Sequence, residues 1–344
     1  MAFEPLTGAV YPNLINVAKG LDPDGSIADV AELYAQSNPI IMDIPMIQGN
    51  LPTGHRSTIR SDIPEPVFRR AYKGVKPTSS KKIQVEDTIG IVEDYAAVDK
   101  EVADLNGNTA AFRLDEDKPH IEGMSNKMAS SIFYCDTDVT PEGFLGLGPR
   151  YAVTDIATVK PGAVVQSSQL SNVISLEGTT NLASIWLVIW SPSTVFGVFP
   201  KGSRAGLFQE DQGEQRLSDN EGGWFQGYVS HYQWKMGLVV KDWRCVVRIC
   251  NIDVSAIADT ATQTALYIAM IKALHTLPPG AVGNKMFYCP PAIAAMLDLA
   301  ATDKSNAALG AKEVFGEELT TFRRVPIRQC NALLETETQV IASA

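Results

Sequence analysis

One stretch limits this chain more than any other. Between Asp115 and Cys135 the sequence reads DEDKPHIEGMSNKMASSIFYC. Ile121, Met124, Met128, Ile132 and Cys135 recur every three or four residues, which places them on one face of a helix. Glu122, Asn126 and Ser130 fall off that stripe. Asp115 and Asp117 suit the start of a helix, and Pro119 suits its first position. From Pro119 to Cys135 such a helix is about 25 Å long, enough to cross a domain. The polar run Asp136 to Gly143, with Pro141 inside it, ends the pattern.

Charge is the second constraint. Residues 49–82 carry Arg56, Arg60, Arg69, Arg70, Lys73, Lys76, Lys81 and Lys82 against Asp62 and Glu65, a net of +6. The whole chain of 344 residues has a formal charge of -10, so the remainder carries -16. Turn residues at Gly49-Asn50, Pro52 to Gly54 and Pro77 to Ser80, with isolated Ile59, Ile63, Val67, Phe68 and Tyr72, predict a long extended hairpin or loop. A basic loop on an acidic body suits docking on an acidic surface; a merely solvated loop fits as well. Nucleic-acid binding fits less well, because the aromatic residues are too few and uneven to stack bases. Residues 86–104 have the opposite sign: Glu86, Asp87, Glu93, Asp94, Asp99, Glu101 and Asp104 face only Lys100. Ile91, Tyr95, Val98 and Val102 stand at helical spacing there, which predicts an acid-decorated helix.

The flanks are plainer. Residues 1–23, rich in Pro, Gly and Asn, read as an arm lying on another surface, followed by a short helix that Ser26 and Asp29 would cap. Residues 151–181 are strand- and turn-like, with Val164 and Val165 leading into a polar run. Strands are predicted at Ile185–Trp190, Val195–Phe199, Trp224–Val240 and Trp243–Cys250. In the last, Trp243, Cys245, Val247 and Ile249 would share one face and Arg244 and Arg248 the other, with Lys241-Asp242 as a hairpin turn. A helix from about Thr260 to Leu277 stops at Pro278-Pro279-Gly280. A buried strand at Met286–Cys289, a helix opened by Pro291 and returning strands between Thr320 and Ile341 complete the chain.

No constellation for chemistry emerges. His55, His120, His231 and His275 are isolated, and five cysteines fit no zinc or redox spacing. The glycines around Lys285 are too close for a phosphate loop, and Ser203 lacks the spacing of a nucleophile elbow. No catalytic residue, cofactor or metal is expected. The longest apolar runs fall short of a membrane span, and the first residues show no signal-peptide pattern.

Several long motifs carry a resemblance. Leu105 to Leu114, the helix after it, Ser131 to Asp136 and Gly143 to Tyr151 resemble a block in the major capsid proteins of short-tailed, podovirus-type bacteriophages. Gly197 to Gly206 and Gln233 to Asp253 resemble the same family, so the likeness extends over roughly half the chain. Cys135, Cys245 and Cys250 depart from the family's usual residues. The resemblance implies an α+β, Hong Kong 97-like capsid fold. Its parts would be an N-terminal arm and short helix (1–46), an extended E-loop (47–84), a peripheral domain built on a spine helix (85–165 with 320–344) and an axial domain (166–319).

It also implies a coat protein forming pentamers and hexamers of itself in an icosahedral shell. The shell would enclose double-stranded DNA without sequence-specific contact, consistent with a net acidity that neutralises few phosphates. A separate scaffolding protein is expected, since no long helical pro-region precedes the arm; a portal and a decoration protein are further partners, and a membrane is not. The location implied is the virion, assembled in the bacterial host cytoplasm. Arg56, Arg60, Arg69, Arg70, Lys73 and Lys76 are the basic contacts such a loop would bring to a neighbouring subunit, and Glu86, Asp87, Glu93, Asp94, Asp99 and Glu101 the acidic face it would meet. Two alternatives stand beside this reading: an encapsulin-like nanocompartment shell, and a soluble enzyme with an unrecognised site.

Overall fold

The structure is a computed structural model. It describes residues 38–62, 64–105, 108–152, 172–176, 178–218, 223–257, 259–302, 309–314 and 317–340. The expected arm, the short helix near Ser26 and the stretch around Val164 lie outside the described residues. In chain order come helix α1 (Ile40–Asp43), strands β1 (Met46–Gln48), β2 (Gly54–Asp62), β3 (Lys81–Thr88) and β4 (Gly90–Asp99), and helices α2 (Lys100–Asp104), α3 (Thr109–Tyr134) and α4 (Leu147–Arg150). Then follow β5 (Val173–Ser175), β6 (Leu182–Trp190), β7 (Val195–Phe199), β8 (Leu207–Ser218), β9 (Trp224–Val240) and β10 (Val246–Asp253). The last elements are α5 (Thr260–Thr276), β11 (Asn284–Cys289), α6 (Pro291–Thr302), β12 (Leu309–Val314), β13 (Glu317–Phe322) and β14 (Val325–Gln329). The described chain falls into two compact units.

The smaller unit holds residues 91–128 and 206–235. Its sheet has β9 in the middle, with β8 antiparallel on one side and β4 on the other. Only glycine fits where these strands come closest, since a Cβ at Gly227 would lie 2.7 Å from the Val98 carbonyl oxygen. The β8–β9 register slips between Asp211 and Gly213, and Gly213 takes a φ of 70°, so an extra residue bulges from β8. Helix α3 is tied to this sheet through Arg113 Nη2 and Asp211 Oδ1 at 2.6 Å, and through His120 Nδ1 and Asp94 Oδ2 at 2.6 Å. The Arg113 hydrogen bonds hold the Asp211 carboxyl below its ordinary range.

Two expectations are corrected in this region. Residues 90–99 form a strand, not a helix. Gly90, Ala96 and Val98 are buried while Ile91 and Tyr95 are about half exposed, a period of two. Four apolar residues spaced by three and four could not outweigh that alternation. The long helix begins at Thr109, ten residues before Pro119, which stands inside it. Asn108 is the cap: its Oδ1 accepts the Ala111 amide at 3.3 Å, and Thr109 Oγ1 donates to Asp104 at 2.6 Å. An interior proline costs roughly 3 kcal/mol. Burial of Met124, Met128 and Ile132 further along the same helix offsets that cost.

The larger unit holds residues 38–90, 129–205 and 236–340 of the described chain. Its centre is β6, all of whose residues are buried. Both edges of β6 are paired, antiparallel to β10 and to β11. That explains a continuous apolar run in place of an alternating one. Beyond β11 the sheet continues through β14, β13 and β12, and β7 carries β1 and the end of β9. Phe133, in the last turn of α3, packs on Trp186 and Tyr288 with ring centroids 6.1 and 6.4 Å away.

The expected Lys241-Asp242 hairpin is absent, because β10 pairs with β5 and β6 and not with β9. Asp242 Oδ1 instead accepts the Arg244 amide at 3.1 Å and caps a 3-10 turn over Trp243–Cys245, which turns the chain away. The strand therefore begins only at Val246, and it is buried on both faces down to Ile252. Arg248 is not on a polar face: it is buried and paired with Glu337 at 2.8 Å.

Candidate assembly surface

The basic segment folds as a two-stranded antiparallel hairpin, β2 against β3, with register from Gly54↔Thr88 to Asp62↔Lys81. Its base is locked. A Cβ at Gly54 would stand 2.2 Å from the Asp87 carbonyl oxygen, so glycine alone permits the approach. Asn50 imitates a strand neighbour: its Nδ2 donates to the Arg56 carbonyl and its Oδ1 accepts the Arg56 amide, both at 2.8 Å. Arg56 reaches its cross-strand partner Glu86 at 2.9 Å. Both side chains are about half exposed, so that pair contributes no more than about 1 kcal/mol.

The tip is different. Residues 64–80 have no strand, and every one of them is exposed. A small turn shapes it, with the Lys73 amide donating to the Arg70 carbonyl at 3.1 Å and Arg69 Nε donating to the Lys73 carbonyl at 3.2 Å. Tyr72 takes a left-handed φ of 62°, a conformation that costs a non-glycine residue about 1 kcal/mol. Phe68 and Tyr72 are fully exposed, and Val67 and Val75 largely so. Among the described residues, Arg60, Arg69, Arg70, Lys73 and Lys76 make no ion pair. The tip therefore presents cations and aromatic rings together, at the end of a paired two-stranded stem.

The predicted acidic residues have different settings within their own units. Asp87 is buried, and its Oδ1 accepts from Arg150 Nη2 at 2.7 Å. Glu86 is engaged by Arg56 within the hairpin. In the smaller unit Glu93 accepts from the Gln233 side chain, Asp94 meets His120, and Asp99 caps α2 by accepting the Glu101 amide at 2.9 Å. Glu93, Asp99 and Glu101 remain near the surface of β4 and α2. The aromatic character of the tip was visible only as isolated apolar letters; what marks Phe68 and Tyr72 is complete exposure beside four cations.

Among the described residues no group of His, Cys, Asp or Glu is arranged to hold a metal, and no helix is long and apolar enough to cross a membrane. A comparison with curated proteins found no match. Among solved structures, the chain is similar to the near-atomic structure of bacteriophage Epsilon15, with a TM-score of 0.74 and 30% identity over 99% of this chain and 100% of that one. The bacteriophage JBD30 capsid matches at a TM-score of 0.48 and 10% identity, over 94% of this chain and 99% of that one. The holo-SrpI encapsulin complex of Synechococcus elongatus PCC 7942 matches at 0.38 and 10%, over 64% of this chain and 92% of that one. The family model described as major capsid protein GP7 matches residues 22–341. With nearly the whole chain matched, and with its mixed sheets and long helix in the Hong Kong 97-like arrangement, the chain belongs to the major capsid protein GP7 family.

Proposed function

We propose that copies of this chain associate as pentamers and hexamers and close into an icosahedral shell around the double-stranded DNA of a tailed phage. Membership of a major capsid protein family makes it a subunit of a phage capsid, and so of the virion. The observation that carries the mode of association is the hairpin β2–β3. Its stem is fixed at Gly54 and Asp87, and its tip holds Phe68, Arg69, Arg70 and Tyr72 clear of the chain's own surface. A tip of that kind suits a second copy: the remainder of the chain carries -16, so a basic arm lets like-charged subunits attract locally. In this reading residues 47–84 are the E-loop and the long helix is the spine of a peripheral domain. Assembly would run in the host cytoplasm with a separate scaffolding protein and a portal, and a decoration protein would bind the finished shell.

Negative-stain electron microscopy of the expressed protein, alone and with scaffold from the same source, tests this. Closed shells, tubes or rings of five or six subunits are expected. A monomer or dimer under every condition would overturn the reading.

A further inference from the structure

After β14 the described residues make no further strand, yet residues 330–340 are held down closely. Two backbone contacts join the segment to the rest of the larger unit: the isolated bridge Leu182↔Glu337, and the Cys330 amide donating to the Cys289 carbonyl at 2.9 Å. The rest is largely side-chain chemistry. The Ala332 amide donates to Asn38 Oδ1 at 3.1 Å, and Glu335 Oε1 accepts the Ala292 amide at 3.0 Å. Asn251 grips Val340 twice, its Nδ2 donating to the carbonyl at 2.6 Å and its Oδ1 accepting the amide at 2.9 Å. Asn251 does this from a left-handed backbone, φ 57°.

The centre of the grip is Glu337. Its carboxylate accepts from Arg248 Nη2 at 2.8 Å, from Tyr134 Oη at 2.5 Å and from Ser184 Oγ. The Arg248 and Glu337 side chains are only 6% and 4% exposed. Arg248 also donates to Ser184 Oγ at 3.1 Å and lies 5.1 Å above the Trp186 ring. Among the described residues, Glu337 is the carboxylate with which this guanidinium pairs. A buried guanidinium that loses its carboxylate keeps its desolvation cost without the compensating attraction.

The partners of the segment are spread over residues 38–292. Contacts at such sequence separation must first pay a loop-closure cost. We infer that residues 330–340 are a closing strap. It seats only on a finished larger unit, and a subunit with the strap unseated does not enter the shell. The second clause rests on the shell reading. With the strap unseated, Tyr134 at the end of α3 loses its link through Glu337 to Ser184 on β6 and Arg248 on β10, and the strap's own Leu333 and Val340 are uncovered.

Hydrogen exchange on the unassembled full chain tests the closing. The Glu337 and Val340 amides should exchange at least about tenfold faster than those of β10, as a segment that opens by itself does. Equal protection of strap and β10 overturns it. Shell yield of Glu337→Gln, and of Arg248→Met with Glu337→Leu, tests the exclusion. The single variant should keep β10 protected, expose the strap and lower yield at least about tenfold, because it strands the buried cation. The double variant, with both charges gone, should recover yield. Wild-type yield from Glu337→Gln, loss of β10 protection in it, or no recovery in the double variant each overturns the proposal. If the wild-type chain itself forms no shells, the shell reading fails, while the exchange result still decides whether the strap closes separately.

Discussion

Arg150 Nη2 stands 2.7 Å from Asp87 Oδ1, and the two side chains are 14% and 5% exposed. Arg150 also donates to the Leu145 and Leu238 carbonyls. The base of the basic hairpin is thus anchored by an ion pair inside its own subunit. Asp87→Asn should lower the unfolding free energy by roughly 3 kcal/mol, since it leaves a buried guanidinium unpaired. Urea denaturation at neutral pH measures this. A loss well under 1 kcal/mol would show that water already reaches the pair.

Reversal of Arg69 and Arg70 to Glu should impair assembly and leave the subunit folded, because both side chains are exposed on the tip. Circular dichroism and shell yield at moderate salt separate the two effects. A normal yield of shells from the reversed chain would count against docking through the tip.

Trypsin should cut unassembled subunits first at Arg69, Arg70 or Lys73, which stand in exposed chain with no strand. The same bonds should resist in assembled shells. Mass spectrometry of the early fragments reads both states, and equal cutting in both would mean that assembly leaves the tip uncovered.

Burial pushes the thiols of Cys250 and Cys330 up to about 11 from an ordinary 9.0. Folding therefore favours the protonated thiol. That contribution is whole below pH 9 and is lost as pH rises from 9 through about 11. Stability at pH 10 should be lower than at pH 8 by roughly 1 kcal/mol per thiol. Urea midpoints at the two pH values check it, and Cys250→Ala with Cys330→Ala should reduce the difference, the remainder coming from Cys245 and Cys289, whose thiols burial also raises.

The apolar strands were legible because burial on both faces leaves an unbroken run such as Ile185–Trp190, which few other structures tolerate. The stripe from Met124 to Ile132 was legible for the same kind of reason. Its start was not. Pro119 looks like a boundary to local rules, while the cap at Asn108 is made by one side-chain oxygen and packing then holds the proline inside. Ile91 and Tyr95 misled because an exposed apolar residue on a strand reads like a buried one on a helix. The charge contrast of the hairpin could be read directly. The engagement of Glu86 and Asp87 inside the subunit could not, since their partners Arg56 and Arg150 are 30 and 63 residues away. Arg248 and Glu337 were harder still: two ordinary charged letters become a buried pair only through a separation of 89 residues.

Strand β8 ends one side of its sheet with twelve residues, most of them exposed. A capsid subunit associates with copies of itself, and a second, easier way to stick would compete with that. A long flat edge would invite strand-to-strand zippering, a polymer that never closes. The extra residue at Gly213 kinks that edge midway, with Glu210, Asp211 and Glu214 around the kink. The bulge thus discriminates between polymers: it blocks the open-ended one and leaves the subunit free for a lattice that curves and stops.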